Sequence, residues 1–346
     1  MEYIEQTNSC KLCGAILKSR ARRCYSCGSA VNASEAPRKD VPASAPSAVQ
    51  PRSGDAALSG KLRPLNLKKR IFEAVGWMSL IPAGIAGLFF FIGESGLGAA
   101  IAIVGGIVGG VCLYISRRYV KEKKALISDH VVKGMLADNF ELIEYASQET
   151  FLEEQIQVSQ LRGWNQITGN DWFRAKHNDV SFAFSDVVLR QAGGRSSSTK
   201  FRGQWLILDL HKEFSAPLLI SEIEQKGMFS RRARAQMEQT SFEVEDTTFT
   251  VLTESPEIIP QVLTPKFREF LSTTTSREMF YYEKHLFFMD KQVHIGIGTW
   301  HDLFEPCSNV QDIPALRERI QSEIDFIKEI IDGFLLIEGL VREKGE

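Results

Sequence analysis

The sequence predicts an α+β fold joined to a transmembrane helical hairpin, and three observations carry this prediction. Two apolar runs without a charge stand close together, at Ala74–Ile92 and Leu97–Ile115. Short segments of alternating polarity, typical of strands, follow residue 150, and a long amphipathic helical pattern begins near Asp312. Strands gathered in the centre with helices at the edges predict an antiparallel sheet flanked by long helices.

The two apolar runs have the length of membrane helices. Each run has nineteen residues and contains no Asp, Glu, Lys, Arg, His, Asn or Gln. A helix of that length spans about 28 Å, close to the hydrocarbon core of a bilayer at about 30 Å. The rival interpretation is a buried hairpin in a soluble core, but core helices rarely lack every strongly polar residue over such a length. Residues 71–116 are therefore predicted to form a two-helix transmembrane hairpin.

The charges around the hairpin predict its topology. Bases stand outside both runs, whereas the connecting turn carries only Glu94. Because positive residues stay on the cytoplasmic side, both termini are predicted to be cytoplasmic, in a two-helix protein of the bacterial inner membrane. The same bases should attract anionic lipid headgroups, so the lipid bilayer is a predicted partner. They are Lys61, Arg63, Lys68, Lys69 and Arg70 before the first run and Arg117, Arg118, Lys121, Lys123 and Lys124 after the second.

Small residues recur in both runs at a spacing of four. The pairs are Ala83 with Gly87, Gly105 with Gly109, and Gly106 with Gly110. Such faces let two helices approach closely, either within one hairpin or between two copies of the chain, so a homo-oligomer is an open prediction. No ionisable side chain lies at membrane depth, which favours an anchor over an ion pathway.

Four cysteines near the start of the chain predict a metal site. Cys10 and Cys13 form one CxxCG motif, and Cys24 and Cys27 form a second. Four thiolates suit tetrahedral Zn²⁺, and a closed shell of four protein ligands is structural. The doubled motif resembles the short zinc ribbons at the N-termini of many bacterial membrane proteins. Residues 8–30 are therefore predicted to be a zinc ribbon, with an iron centre as the alternative.

The segment after the cysteines has the composition of a linker. Residues 31–70 are predicted to be disordered, because Ala, Ser and Pro dominate from 32 to 60 and aromatic residues are missing there. The formal net charge of the whole chain is −2, so binding to nucleic acid is not indicated.

The region after the hairpin is predicted to hold one long helix and then the sheet domain. Apolar residues from Val120 to Ile143 suggest a juxtamembrane helix over 117–149, and residues 150–346 are assigned to the cytoplasmic α+β domain. A hairpin turn is expected at His177–Asp179 and another at the GGRSSS segment. A short helix is predicted at Pro265–Ser272, since Pro suits a first helical turn. Strands are predicted at Trp172–Ala175, Val180–Phe184, Phe201–Leu210, Ser215–Ile220, Phe242–Val244, Phe249–Leu252, His285–Met289 and Gln292–Gly296.

Four short blocks follow one another in this domain: FRGQWLILDLHKEF, SFEVEDTTFTVLTES, LTPKFREFL and DLFEP. Their order behind a hairpin resembles a family of uncharacterised bacterial membrane-anchored proteins, over about residues 70–340. The resemblance implies two membrane helices ahead of a cytoplasmic domain and transfers no activity or catalytic residue. Gln204 and Trp205 follow Gly203, where family members usually have smaller apolar residues. The N-terminal zinc ribbon is not shared by all members of the family.

The sequence leaves the catalytic residues, if any, unknown. His294, His301, Asp302 and Cys307 could form a nucleophile and base, but such spacing also arises by chance. The preferred hypothesis is a membrane-anchored binding or scaffold protein whose zinc ribbon and α+β domain contact protein partners. The alternatives are an enzyme that acts on a membrane-proximal substrate and an accessory subunit of a transporter.

Overall fold

The computed structural model describes residues 54–93, 96–159, 161, 163–193, 196–222, 238–244, 247–275, 283–299, 302–305, 313–335 and 337. The chain divides into two compact units. The first unit contains the described residues up to Val132 together with those in Glu305–Arg319. The second contains the described residues of Lys133–Phe304 and of Ile320–Glu346.

Two long helices form most of the described part of the first unit. They are α1, Asp55–Gly93, and α2, Gly96–Ile127, and a π-helical turn, Ser128–Val132, continues α2. Both helices are long and apolar enough to cross a membrane, and only 11% of the apolar window of each is buried. The helices predicted at Ala74–Ile92 and Leu97–Ile115 are confirmed, and both extend beyond the apolar runs.

The two helices pack through small residues. A Cβ added at Gly105 would lie 2.8 Å from Ala83 Cβ, and one added at Gly109 would lie 2.5 Å from Leu80 Cγ. A Cβ at Gly76 would lie 3.0 Å from the side chain opposite, so all three glycines permit the close approach. The face that carries Gly105 and Gly109 therefore belongs to the contact inside the hairpin.

A second small-residue face points away from this contact. A Cβ added at Gly106 or Gly110 would meet nothing within 4 Å. The hairpin thus uses only one of the two glycine faces of α2, and the prediction of a homo-oligomer now concerns the other face.

The linker predicted at residues 31–70 is helical from Asp55 onward, which corrects that part of the prediction. Residues 31–53 lie outside the described residues. The physical reason for the helix is a set of buried leucines spaced four and three residues apart, Leu58, Leu62 and Leu65. The Ala, Ser and Pro content that suggested a linker hides this short apolar pattern.

A buried ion pair fixes the start of α1. The Asp55 carboxylate accepts hydrogen bonds from Arg317, with the closest N–O distance at 2.8 Å, and both side chains are buried. Lys123 Nζ donates to Asn66 Oδ1 at 3.0 Å and joins α1 to α2 in the same region. These polar contacts hold the part of the first unit that lies beyond the apolar runs.

Among the described residues of the second unit, seven antiparallel strands form one sheet, which confirms the predicted antiparallel α+β architecture. The order is β1-β2-β3-β4-β6-β5, and β7 pairs with β4. The strands are β1 Glu141–Ala146, β2 Gln166–His177, β3 Val180–Gly193, β4 Ser196–Ser221, β5 Glu238–Val244, β6 Thr247–Thr253 and β7 Glu283–Gly298.

Strand β4 organises this sheet. It has 26 residues, and its first part pairs with β3 while its end pairs with β6. β7 pairs with both parts along the other edge of β4, and the register shifts on either side of Phe214. The segments predicted as two strands, Phe201–Leu210 and Ser215–Ile220, are therefore one strand with irregular pairing in its middle. The same holds for His285–Met289 and Gln292–Gly296, which both lie in β7.

Both predicted hairpin turns agree with the strand register. Asn178 and Asp179 have φ values of 49° and 65°, the positive values that a two-residue turn between twisted strands requires. Gly193 pairs with Ser196, and residues 194–195 of the second predicted turn lie outside the described residues.

Of the helices of the second unit, those that carry Phe267 and Phe334 cover one face of the sheet, called here the helix face. Phe334 of the last helix packs against Phe267 and Phe288, with ring centroids 5.3 and 6.0 Å apart. The predicted helices at Pro265–Ser272 and after Asp312 are confirmed. The helices are α3 Lys133–Asn139, α4 Glu153–Gln157, α5 Ile259–Val262, α6 Pro265–Thr275 and α7 Ile313–Leu335, which begins in the first unit.

The opposite face of the sheet, the Trp205 face, has its own apolar core. Its buried members are Phe151, Ile156, Leu161, Val187, Leu189, Phe201, Trp205 and Ile207. Trp205 is 1% exposed and meets Phe201 edge to face, with the ring centroids 5.3 Å apart. The sheet therefore buries side chains on both faces.

The juxtamembrane helix predicted for residues 117–149 ends early, which corrects that prediction. Helical geometry continues through α3 to Asn139, and β1 then begins at Glu141. Phe140 is buried and packs on Phe173, and this contact brings the chain into the sheet. Ile143 matches the helical spacing by chance and is exposed in β1.

The hairpin contact predicts unequal effects of two neighbouring substitutions. Gly105→Leu should separate α1 from α2, because even its first side-chain carbon collides with Ala83. Gly106→Leu is the matched control and should leave the packing intact, because that position is open. Thermal unfolding of the full chain in detergent measures the difference, with a loss of about 1–3 kcal/mol expected for the first variant alone. Equal effects of the two substitutions would contradict the observed packing.

Candidate functional site

A buried carboxyl group lies within the helix face of the sheet. Asp186 of β3 is 3% exposed, and Gln204 of β4 donates from Nε2 to its Oδ1 at 2.9 Å. Thr299 donates in turn to Gln204 Oε1 at 3.2 Å. Among the described residues, Asp186 Oδ2 has no hydrogen-bond partner. The hydrogen-bond chain from Thr299 through Gln204 thus holds Oδ1 of this carboxyl in place.

A second buried aspartate stands close to the first. Asp171 is fully buried, and Tyr145 donates from its hydroxyl to Asp171 Oδ1 at 2.8 Å. The side-chain amide of Asn170 donates to Oδ2 of the same carboxylate. Asp171 has a φ of 55° at the point where the pairing of β2 with β3 shifts register. This bulge places a second acidic side chain in the buried part of the sheet domain.

The surroundings of Asp186 favour its protonated form. Burial, followed by the negative charges of Asp171 and Asp302, raises the pKa of Asp186 well above its ordinary value. Hydrogen bonds from Gln204 and from the backbone of Leu303 lower the pKa and offset only part of this effect. A protonated carboxyl in this position can donate a hydrogen bond or a proton from Oδ2.

Two of the sequence blocks meet at this carboxyl. In the FRGQ block, Gly203 has a φ of 154°, and a Cβ there would lie 2.0 Å from Ile297 O, so only glycine fits. In the DLFEP block, Asp302 forms an ion pair with Arg202 at 3.4 Å, and both are partly exposed. The backbone N–H of Phe304 donates to Glu323 of α7 at 2.8 Å. We call Asp171, Asp186, Arg202, Gln204, Thr299 and Asp302 the Asp186 cluster.

The structure separates His294 from Asp302, two of the residues considered as a catalytic group. His294 pairs with Ile207 and lies on the Trp205 face, where the rings of Trp205 and Phe287 have centroids 6.4 Å from its own. Asp302 contacts Arg202 on the helix face. Burial lowers the pKa of His294 to about 4, so the ring is neutral. His301 and Cys307 lie outside the described residues.

A different serine and histidine do come together. Ser221 Oγ lies 3.0 Å from His285 Nδ1, across the pairing of β4 with β7. This is the geometry of a nucleophile and a base, but Ser221 is 1% and His285 4% exposed. A substrate cannot reach either side chain, so the contact is a buried structural hydrogen bond.

The predicted metal ligands Cys10, Cys13, Cys24 and Cys27 lie outside the described residues. Within the part of the chain that the structure describes, no group of three or more His, Cys, Asp or Glu side chains is arranged to hold a metal ion. The zinc ribbon therefore stays a prediction.

The sequence reasoning missed the Asp186 cluster. One signal was present, because Asp186 interrupts the apolar segment SFAFSDVVL, just after the strand predicted at Val180–Phe184. An acid in such a place requires buried partners. Its hydrogen-bond partner Gln204 and its charged neighbour Asp171 lie on two other strands, and no spacing along the chain predicts that register.

A family model described as a protein of unknown function, DUF3137, matches residues 199–336. The match includes the four blocks noted above and agrees with the resemblance to an uncharacterised family. This part of the chain is therefore similar to a domain of unknown function.

Other comparisons give little more. No curated protein matches the chain. The crystal structure of the mycobacterial trehalose monomycolate transport factor A, TtfA, is similar at 6% sequence identity, with a TM-score of 0.31. That comparison covers 57% of this chain and 92% of the other. A likeness this distant supports no conclusion about the fold or function of this chain.

The raised pKa of Asp186 predicts a pH-dependent stability. The folded chain holds this proton more tightly than the unfolded chain, so stability falls as pH rises from about 4 to the folded pKa, by up to about 1.4 kcal/mol per pH unit. Asp186→Asn, which keeps the shape without the charge, should remove this loss and unfold at a higher denaturant concentration at pH 8. The exposed Asp209→Asn is the control. A less stable Asp186→Asn at pH 8 would show that the native state needs the charge.

Proposed function

We propose that the chain is a membrane-anchored binding protein of the bacterial inner membrane. In this proposal α1 and α2 cross the bilayer as a hairpin, and both termini lie in the cytoplasm. The sheet domain and the N-terminal zinc ribbon bind protein partners at the membrane surface.

The exposed apolar surface of the hairpin is the observation that carries this proposal. Soluble proteins rarely leave a contiguous apolar patch of more than a few hundred square ångströms in water. From Ile71 to Gly93, α1 spans about 33 Å, close to the thickness of a hydrocarbon core. The exposed side chains on both helices include Trp77, Met78, Ile81, Ile85, Leu88, Ile101, Ile103, Val104, Ile107, Val108, Val111 and Tyr114.

The ends of this surface support the proposed topology. Trp77 and Tyr114 are 58% and 74% exposed near the basic end of the hairpin, where amphipathic rings favour the interface. The bases lie at that end of both helices, so the positive-inside rule assigns it to the cytoplasm. The sheet domain follows α2 directly and is therefore proposed to be cytoplasmic.

The sheet domain suits binding better than catalysis. Its serine–histidine pair is buried, and His294 and Asp302 lie on opposite faces. An enzyme that acts on a membrane-proximal substrate is the alternative, and the Asp186 cluster is the place where such an activity would be sought, because perturbed carboxyl groups gather at functional sites.

A charge in the middle of the apolar surface should release the chain from the membrane. Val104→Lys with Ile107→Lys places two ammonium groups at bilayer depth, at a cost of roughly 2.5–3.5 kcal/mol each. Val120→Lys is the matched control, because Val120 is exposed beyond the apolar run. Carbonate extraction of bacterial membranes should release only the double variant. Release of the unaltered chain would contradict the anchor.

The zinc ribbon is tested by metal analysis of the purified full chain. Four thiolates should hold about one Zn²⁺ per chain, and Cys24→Ser should sharply lower this content. Cys112→Ser changes a cysteine of α2 and should leave the zinc content unchanged. A chain that carries no metal would refute the site. Iron in place of zinc would show that the four cysteines form an iron centre.

A further inference from the structure

We infer that five exposed bases around the hairpin form a binding site for anionic phospholipid headgroups. This inference rests on the proposed function, because it requires the hairpin to stand in a bilayer. The five bases, called here the basic collar, are Lys68, Arg70, Arg117, Arg118 and Lys121, and all are exposed.

The register of the two helices brings these bases to one level. Phe72 of α1 packs beside Tyr119 of α2, with ring centroids 5.8 Å apart, and Lys68 Nζ lies 5.7 Å from the same tyrosine ring. Asn66 bonds to Lys123 just beyond. Arg70 and Arg117 are 47 residues apart in the chain. The basic segments of α1 and α2 nevertheless lie at the same height of the hairpin.

The height of the collar matches one headgroup layer. Arg117 to Lys121 covers about 6 Å along α2. The headgroup layer on one side of a bilayer is about 5–8 Å thick, from the difference between its total thickness and its hydrocarbon core. Tyr114 lies one turn from Arg117 on the apolar side, so the collar begins where the apolar surface ends.

The collar bases are available to a ligand, unlike the other bases nearby. Lys69 pairs with Glu73, and Lys124 pairs with Glu305. Lys123 is buried and bonded to Asn66. Within the described residues, none of the five collar bases forms an ion pair. Phosphate oxygens are strong acceptors for Lys and Arg, and exposed bases beside a membrane helix attract anionic lipid.

Spin-labelled lipids test this site. The full chain is reconstituted in phosphatidylcholine bilayers that contain spin-labelled phosphatidylglycerol or spin-labelled phosphatidylcholine, and the fraction of motionally restricted lipid is measured. The unaltered chain should prefer the anionic label. Lys68→Gln with Arg70→Gln, or Arg117→Gln with Arg118→Gln, should each lower this preference at least about two-fold, as should high salt.

Lys61→Gln with Arg63→Gln is the matched control, because these two bases are exposed on α1 further from the apolar surface. This pair should leave the lipid preference unchanged. Equal restriction of the two labels by the unaltered chain, or an equal loss in the control, would overturn the inference. Carbonate extraction of the same samples keeps the two proposals apart, since a chain that is extracted contradicts the anchor itself.

Discussion

The contact of backbone against backbone at Gly76 and Gly109 is the constraint on which the first unit depends. A Cβ on Gly109 would lie 3.0 Å from the carbonyl oxygen of Gly76, so the helices meet this closely only where side chains are missing. This contact fixes the register of α1 on α2. The register in turn places Phe72 beside Tyr119 and Asn66 beside Lys123, and so decides which bases share one level.

The sequence predicted what depends on local pattern. The charge-free runs predicted the two long helices, and alternating polarity predicted most of the strands. The apolar stripe predicted for the last helix, α7, is buried from Leu316 to Phe334. Long-range pairing could not be predicted in this way. The ion pair of Asp55 with Arg317 joins residues 262 positions apart, and it accompanies a helix where composition indicated a linker. Ile143 shows the opposite error, because its spacing fits the apolar side of a helix but the residue lies in strand β1.

The same limit explains the candidate site. Asp171, Asp186 and Gln204 meet because of one bulge and two strand registers, and none of these leaves a spacing in the sequence. Burying two carboxyl groups costs stability unless their charges are compensated. The cluster lies where the FRGQ and DLFEP blocks converge. Its members Arg202, Gln204, Thr299 and Asp302 lie inside the region matched by the family model, and Asp171 and Asp186 precede that region. The cluster is therefore the part of the sheet domain where a function beyond binding is best sought.

The central claim is that the hairpin stands in a bilayer, and nitroxide accessibility measures this directly. Spin labels carried by a genetically encoded keto amino acid at positions 104 and 121 leave the native cysteines unmodified. In bilayers that contain the full chain, the label at position 104 should collide mainly with oxygen, which concentrates in hydrocarbon. The label at position 121 should collide mainly with a water-soluble nickel complex. Equal collision of both labels with nickel would contradict the membrane anchor.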